Sequence, residues 1–146
     1  MLNLKQGYKA LLFAALFCFN QPSFGAQFQT YNNLEVHYIA LSSTFLQPDI
    51  AQKYAIKRSK YNGIINISVL DKNAGNKAVA AVISGTGQNL LGQSQQLNFS
   101  EIKEGEAIYY IADYPFSNEE IVNFNITIKA QDKTNILKFQ HKFYAD

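Results

Sequence analysis

The sequence predicts an all-β fold: a single antiparallel, immunoglobulin-like β-sandwich of seven or eight strands with one short inserted helix, behind an N-terminal signal peptide. Three observations carry that expectation. Apolar residues in the body of the chain recur with a period of two rather than 3.6. Clusters of Gly, Asn and Asp break the alternation at intervals that suit short strands. A basic start followed by a short apolar run opens the chain.

The opening segment comes first. Lys5 and Lys9 precede the apolar run from Ala10 to Phe19, and Ser23-Phe24-Gly25 places small residues where a signal peptidase needs them. Cleavage is expected between Gly25 and Ala26, leaving residues 26–146 as one domain. The run is shorter than the roughly 20 apolar residues that span a bilayer, so no stable membrane span is expected after cleavage; an uncleaved anchor is the competing reading. Cys18 does not make a lipoprotein signal, because Phe17 stands where that motif needs a small residue.

Removing the leader changes the chemistry of what is left. Of 13 basic residues two leave with it, and the remaining 11 balance the 11 acidic residues. A neutral domain has no concentrated basic face for nucleic acid. The only cysteine leaves as well, which excludes disulfides and thiol chemistry from the exported part.

The strands follow in order. A short leading strand at Gln27–Tyr31 precedes Leu34–Leu41, Ile64–Leu70, Val79–Ser84, Gln96–Ile102 and Ala107–Tyr114. The clearest alternation is Val122, Phe124, Ile126 and Ile128 against Asn123, Asn125, Thr127 and Lys129, and Ile136–Tyr144 closes the series. One buried and one wet face is what an antiparallel sheet of a sandwich requires. Turn chemistry falls at Asp71–Asn76, Gly92-Gln93, Lys103-Glu104-Gly105 and Gln131-Asp132-Lys133. Pro48–Tyr54 breaks the pattern, with proline and an acidic residue placed to start a helix of one or two turns. Strand number and length favour an immunoglobulin-like sandwich over a closed barrel, although the cysteine pair and tryptophan of many such domains are absent.

No catalytic signature is present: there is no nucleophile elbow, zincin helix or phosphate loop. Gly85-Thr86-Gly87 reads as a bulge or turn at the end of a strand. His37 shares a strand face with Glu35, Ile39 and Leu41, and His141 shares one with Leu137, Phe139 and Phe143. Neither histidine has further metal ligands at useful spacing, and the acidic run from Glu101 to Glu106 lacks a calcium-loop pattern. No cofactor is expected.

Lys57-Arg58-Ser59-Lys60, between Tyr54 and Tyr61, is the densest local charge. It reads first as a solvated connection, with Arg58 pairing to Glu104, and second as a clamp for an anionic group. Adjacent Tyr109 and Tyr110 must face opposite sides of their strand.

The ordered series Val36-His37-Tyr38, Ser43-Thr44-Phe45-Leu46-Gln47-Pro48, Arg58-Ser59-Lys60, Asn66-Ile67-Ser68-Val69, Asn89-Leu90-Leu91-Gly92, Glu104–Tyr110 and Phe143-Tyr144 resembles the domain of unknown function 4426 family, exported proteins of gammaproteobacteria. The resemblance spans nearly all of the exported part. It implies a periplasmic address and brings no activity with it. It also directs attention to Arg58, Ser59, Asn89, Glu104 and Tyr109, polar positions inside the shared motifs. The function expected is a non-enzymatic binding or accessory module for a periplasmic protein or peptide partner. The alternative is a site for a small anionic ligand or glycan fragment around Arg58, Glu104 and Tyr109.

Overall fold

The computed structural model describes residues 27–146, so the leader and its cleavage site lie outside the described residues. Ten strands form among the described residues: β1 (Phe28–Tyr31), β2 (Leu34–Ser42), β3 (Asn62–Asp71), β4 (Lys77–Ala78), β5 (Val82–Asn89), β6 (Ser94–Leu97), β7 (Ser100–Glu104), β8 (Ala107–Pro115), β9 (Glu120–Ala130) and β10 (Lys133–Phe143). They make two antiparallel sheets, the sandwich expected from the alternation. The six-stranded sheet runs β1-β2-β3-β8-β7, with β4 pairing to β3, and the four-stranded sheet runs β10-β9-β5-β6.

Alternation decides which side of each strand enters the core. Val122, Phe124, Ile126 and Ile128 of β9 are buried, while Asn123 and Asn125 between them are exposed. They meet Val36, Ile65, Ile67, Val69, Tyr110, Ala112 and Tyr114 from the other sheet in one cluster. Aromatic rings dominate one half of it. Tyr114 stacks on Phe143 at 5.7 Å, Phe116 on Phe143 at 4.6 Å and Phe124 on Phe139 at 5.0 Å. Such pairs add to the value of their buried area.

Two local expectations change. Gln96–Ile102 is not one strand but two, β6 and β7, which belong to different sheets. Leu97 and Ile102 are both buried, yet an odd separation puts them on opposite faces of any single straight strand. The chain resolves the conflict by crossing between the sheets after Leu97. Gly85-Thr86-Gly87 is neither a bulge nor a turn; it sits in register inside β5, between β9 and β6. A β-carbon on Gly87 would lie 2.5 Å from the Tyr114 ring, and one on Gly85 would lie 2.6 Å from the Asn125 carbonyl oxygen. Gly85 makes room for the neighbouring strand's backbone and Gly87 for a ring from the other sheet, rather than for a change of direction.

The β2–β3 connection carries the predicted helix, α1 (Pro48–Lys53), with Pro48 in its first turn and Asp49 beside it. Ala51 is its buried residue. The helix ends in a left-handed residue, Ala55 (φ 54°), where Ile56 N–H returns to the Ala51 carbonyl and Ala55 N–H to the Gln52 carbonyl. This closure satisfies the last carbonyls and is usually given to glycine.

At the far end of the sandwich a polar knot joins the sheets. Asn33 Nδ2 donates to Asp71 Oδ1 (3.1 Å) and to Gln131 Oε1 (2.9 Å), and Gln131 Nε2 donates to Asp71 Oδ2 (2.9 Å).

Candidate functional site

The strand registers collect a set of connections at one end of the molecule. Ser42 lies opposite Gly63, Asn62 opposite Pro115, Asn89 opposite Val122, and Phe143 opposite Glu120. The β2–β3 connection, the β5–β6 hairpin, the β8–β9 connection and the C-terminal residues therefore share that end. Leu91 and Phe45 project from two of these connections with 85% and 77% exposure, the highest of any large apolar side chain among the described residues. Leu90, Tyr61 and Tyr144 are exposed there as well.

Phe45 is held out by a built turn. Ser42 Oγ accepts from Thr44 N–H and caps a short 3₁₀ turn over Ser43–Phe45. Ser43 is fully buried; its Oγ accepts from Ser59 N–H (2.9 Å) and donates to the Ser59 carbonyl (3.0 Å). Arg58 donates from Nε to the Leu46 carbonyl (2.8 Å) and from Nη2 to the Thr44 carbonyl (3.1 Å). One guanidinium thus bridges the carbonyls on either side of Phe45, using the planar fork that lysine lacks.

The expected Arg58–Glu104 ion pair does not form. Glu104 instead accepts from Lys53 Nζ at 3.1 Å, an exposed pair at the end of α1. The backbone carbonyls of the 3₁₀ turn are nearer partners for Arg58 because Ser43 and Ser59 pin the two segments side by side.

The second tip is built by Asn89. Its Oδ1 accepts from Leu91 N–H (3.0 Å) and Gln93 N–H (2.9 Å), and its Nδ2 donates to Gln93 Oε1 (2.8 Å). Gln88 Nε2 adds a bond to the Gly92 carbonyl, and Gly92 takes the left-handed conformation (φ 84°). An asparagine that satisfies the turn ahead of it is the reason this residue type favours such loops. Among the described residues nothing covers Leu90 and Leu91.

The five motif residues therefore separate into two groups. Arg58, Ser59 and Asn89 support the two apolar tips. Glu104 and Tyr109 lie on the outer face of the six-stranded sheet towards its opposite end, Glu104 opposite Ala107 and Tyr109 opposite Ile102. Tyr110, on the inner side, is core: its hydroxyl donates to Glu101 Oε2 (2.9 Å) and accepts from Ala81 N–H (2.8 Å). Sequence reasoning passed over Phe45, Leu90 and Leu91, which sat within the motifs as apolar filler. Their signal was position, since each is an apolar side chain inside a tight turn whose polar neighbours consume the turn's backbone groups.

The remaining ionisable groups are explained locally. Glu35 and His37 pair at 2.6 Å on the outer face, and Phe28 lies against the His37 ring. Burial against Phe143 holds His141 below the usual imidazole value. Burial and the neighbouring Glu120 carboxylate push the Tyr114 phenol up to about 12. Among the described residues no group of three or more His, Cys, Asp or Glu side chains is placed to hold a metal ion, and no helix is long and apolar enough to cross a membrane.

Fold and site together define a class: a two-sheet antiparallel β-sandwich with one short helix in the β2–β3 connection and a loop-built apolar end. Within that class the family is clear. The chain belongs to the family described as a domain of unknown function (DUF4426), whose sequence model matches residues 28–146. A DUF4426 family protein from Pseudomonas aeruginosa is similar in structure, with a TM-score of 0.75 and 33% identity, over 84% of this chain and 97% of that one. FetP from uropathogenic Escherichia coli shares the fold at 14% identity in two solved structures. The copper-bound form of a glutamate-to-glutamine variant has a TM-score of 0.59, covering 81% of this chain and 94% of that one. The form isolated after expression in the periplasm also has a TM-score of 0.59, over 82% and 93%. No curated protein matches the sequence.

Proposed function

We propose that the protein is a non-enzymatic periplasmic module, immunoglobulin-like in architecture, that binds a protein or peptide partner through the apolar end of the sandwich. One observation carries the reading: Phe45 and Leu91, the most exposed large apolar side chains of the described residues, stand on turns locked by Arg58, Ser59 and Asn89. Rigid apolar anchors bind at a low ordering cost, because the bound conformation already exists. Leaving leucine and phenylalanine in water while building six hydrogen bonds around them makes sense if a partner covers them.

The leader-like start and the periplasmic expression of FetP support the address. The anionic-ligand reading loses its main donor, since Arg58 already spends Nε and Nη2 on carbonyls. Affinity capture of the tagged protein from cell envelopes with chemical crosslinking tests the proposal. A partner enriched by the wild type and lost with Leu91→Asp is the expected result. Equal enrichment by both proteins would remove the apolar end from the account.

A further inference from the structure

The two sheets do not end together on their β10 side. Tyr38 of β2 packs against Phe139 of β10 with ring centroids 4.5 Å apart, so β2 lies over β10 and β1 reaches past it. Side-chain exposure records the overhang. Val36 is fully buried, whereas Gln29, its partner in β1 and on the same inner side, is exposed. The Tyr31 hydroxyl reaches back across the step and donates to the Ile136 carbonyl at 2.8 Å. Among the described residues no strand lies beyond β10 in its own sheet, opposite β1.

That bond also shows which backbone groups of β10 face outward. The Ile136 carbonyl points away from β9, and the alternation of an antiparallel ladder puts the N–H and C=O of Lys138, Gln140 and Lys142 on the same edge. None of these groups has a partner among the described residues. Native edges are commonly blunted by a bulge, a proline or a short length. β10 has 11 residues and no proline, and its register with β9 runs unbroken. Phe139 and His141, on its inner side, are only half-buried. On its outer side Lys138 and Lys142 make no ion pair among the described residues, and no carboxylate stands on the outer face of the four strands.

Lysine is the remaining protection of this edge, and it is selective. Two β10 edges paired antiparallel about Gln140 would set Lys138 of one copy across from Lys142 of the other, and like charges directly opposite are destabilising. A strand bearing carboxylates meets the reverse. We propose that the β10 edge receives the partner as an extended strand, paired antiparallel from Lys138 to Lys142. Its carboxylates stand four residues apart on the outer side, opposite the two lysines, and its apolar side chains turn inward beside Phe139 and His141. Main-chain bonds supply the affinity of such strand addition and alternate side chains its specificity. The inference rests on the partner being a protein or peptide, and Phe143 and Tyr144 continue the line of β10 to the apolar end.

The test is an NMR titration of the isotope-labelled protein with a blocked peptide of alternating glutamate and valine, and with its lysine–valine counterpart. The glutamate peptide is expected to give saturable shifts and slower hydrogen exchange at the Lys138, Gln140 and Lys142 amides. The lysine peptide should bind at least about fivefold more weakly, because two cross-strand pairs change from opposite to like charge. Gln140→Pro removes an N–H that faces away from β9, a place where an edge strand tolerates proline. It should keep its near-ultraviolet circular dichroism and lose the binding. Lys138→Glu, which leaves the backbone alone, should weaken the glutamate peptide and strengthen the lysine one. Equal binding of the two peptides, unchanged binding by Gln140→Pro or by Lys138→Glu, or no saturable shift at these amides would overturn the inference. So would shifts at the same amides on concentrating the protein alone, which would assign the edge to a second copy. Leu91→Asp should leave the titration unchanged, so a failure here is distinct from a failure of the apolar end, which the capture from cell envelopes reads by itself.

Discussion

The ring of Phe143 occupies the space above Gly63, so that a β-carbon on that glycine would stand 2.6 Å from Phe143 Cε1. The relationship is repeated in reverse by Tyr114 over Gly87. Each sheet thus contributes one bare backbone position and one ring, and Tyr114 and Phe143 stack between the two at 5.7 Å. Because Gly63 leads directly from the β2–β3 connection and Gly87 lies two residues before Asn89, this pairing fixes the spacing of the sheets beneath the apolar tips.

Gly63→Ala and Gly87→Ala should each destabilise the protein by about 1–3 kcal/mol, the usual cost of overpacking a core in which neither the backbone nor the ring can yield freely. Urea denaturation followed by near-ultraviolet circular dichroism reads both the midpoint and the aromatic packing. Gly75→Ala, where nothing lies within 4 Å of the added carbon, is the control for a glycine held by its left-handed backbone alone.

Tyr110→Phe should cost about 1–3 kcal/mol despite preserving the ring. It removes the oxygen that accepts from Ala81 N–H and donates to Glu101, and a partly buried donor is left without a partner. The same denaturation assay measures it, and a loss below a few tenths of a kcal/mol would show that water replaces the hydroxyl.

Asn89→Ala should leave global stability within about 1 kcal/mol and act locally. Leu91 and Gln93 lose the acceptor of their N–H groups, so their amide protons should exchange faster while those of the β5–β9 ladder do not change. Hydrogen exchange followed by NMR distinguishes this from a general loosening. Arg58→Gln should act in the same way on the turn that carries Phe45.

Two titrations give stability a predictable pH dependence. His141 is held below its ordinary value of 6.5 by burial, so the unfolded chain binds the proton more readily than the folded one. Its contribution is therefore complete above pH 6.5 and is lost as the pH falls through the depressed folded value. Asp71 is also held low, first by the Gln131 and Asn33 side-chain amides and then by the Asn73 N–H. Its contribution is complete above its ordinary value of 3.8 and is lost as the pH falls further. Thermal melts of His141→Phe should lose the upper slope and keep the lower; those of Asn33→Ala should weaken the lower one.

Much of the fold was legible because β9 alternates without a break and because turn residues sit where the strands end. The helix was legible from Pro48 and Asp49. The sheet change after Leu97 was not, since Leu97 and Ile102 belong to a single alternating stretch whose parity alone betrays the crossing. Gly85 and Gly87 were misread because a glycine pair signals a turn locally, while the ring that needs the space comes from Tyr114, 27 positions beyond Gly87. Among the motif residues, Arg58, Ser59 and Asn89 were found as polar positions, but their role is to support neighbours. Their hydrogen bonds end on backbone groups, which a sequence does not display, and the apolar side chains they present looked like ordinary core.

The central claim is that a partner covers Phe45 and Leu91. The most direct measurement places a photo-crosslinking amino acid at position 45, at position 91 and, as a control, at Val82, which is also exposed but lies at the start of β5 at the opposite end. Irradiation in intact cells should give the same higher-mass adduct from positions 45 and 91 and none from 82. Adducts of equal yield from all three positions, or from 82 alone, would contradict the account.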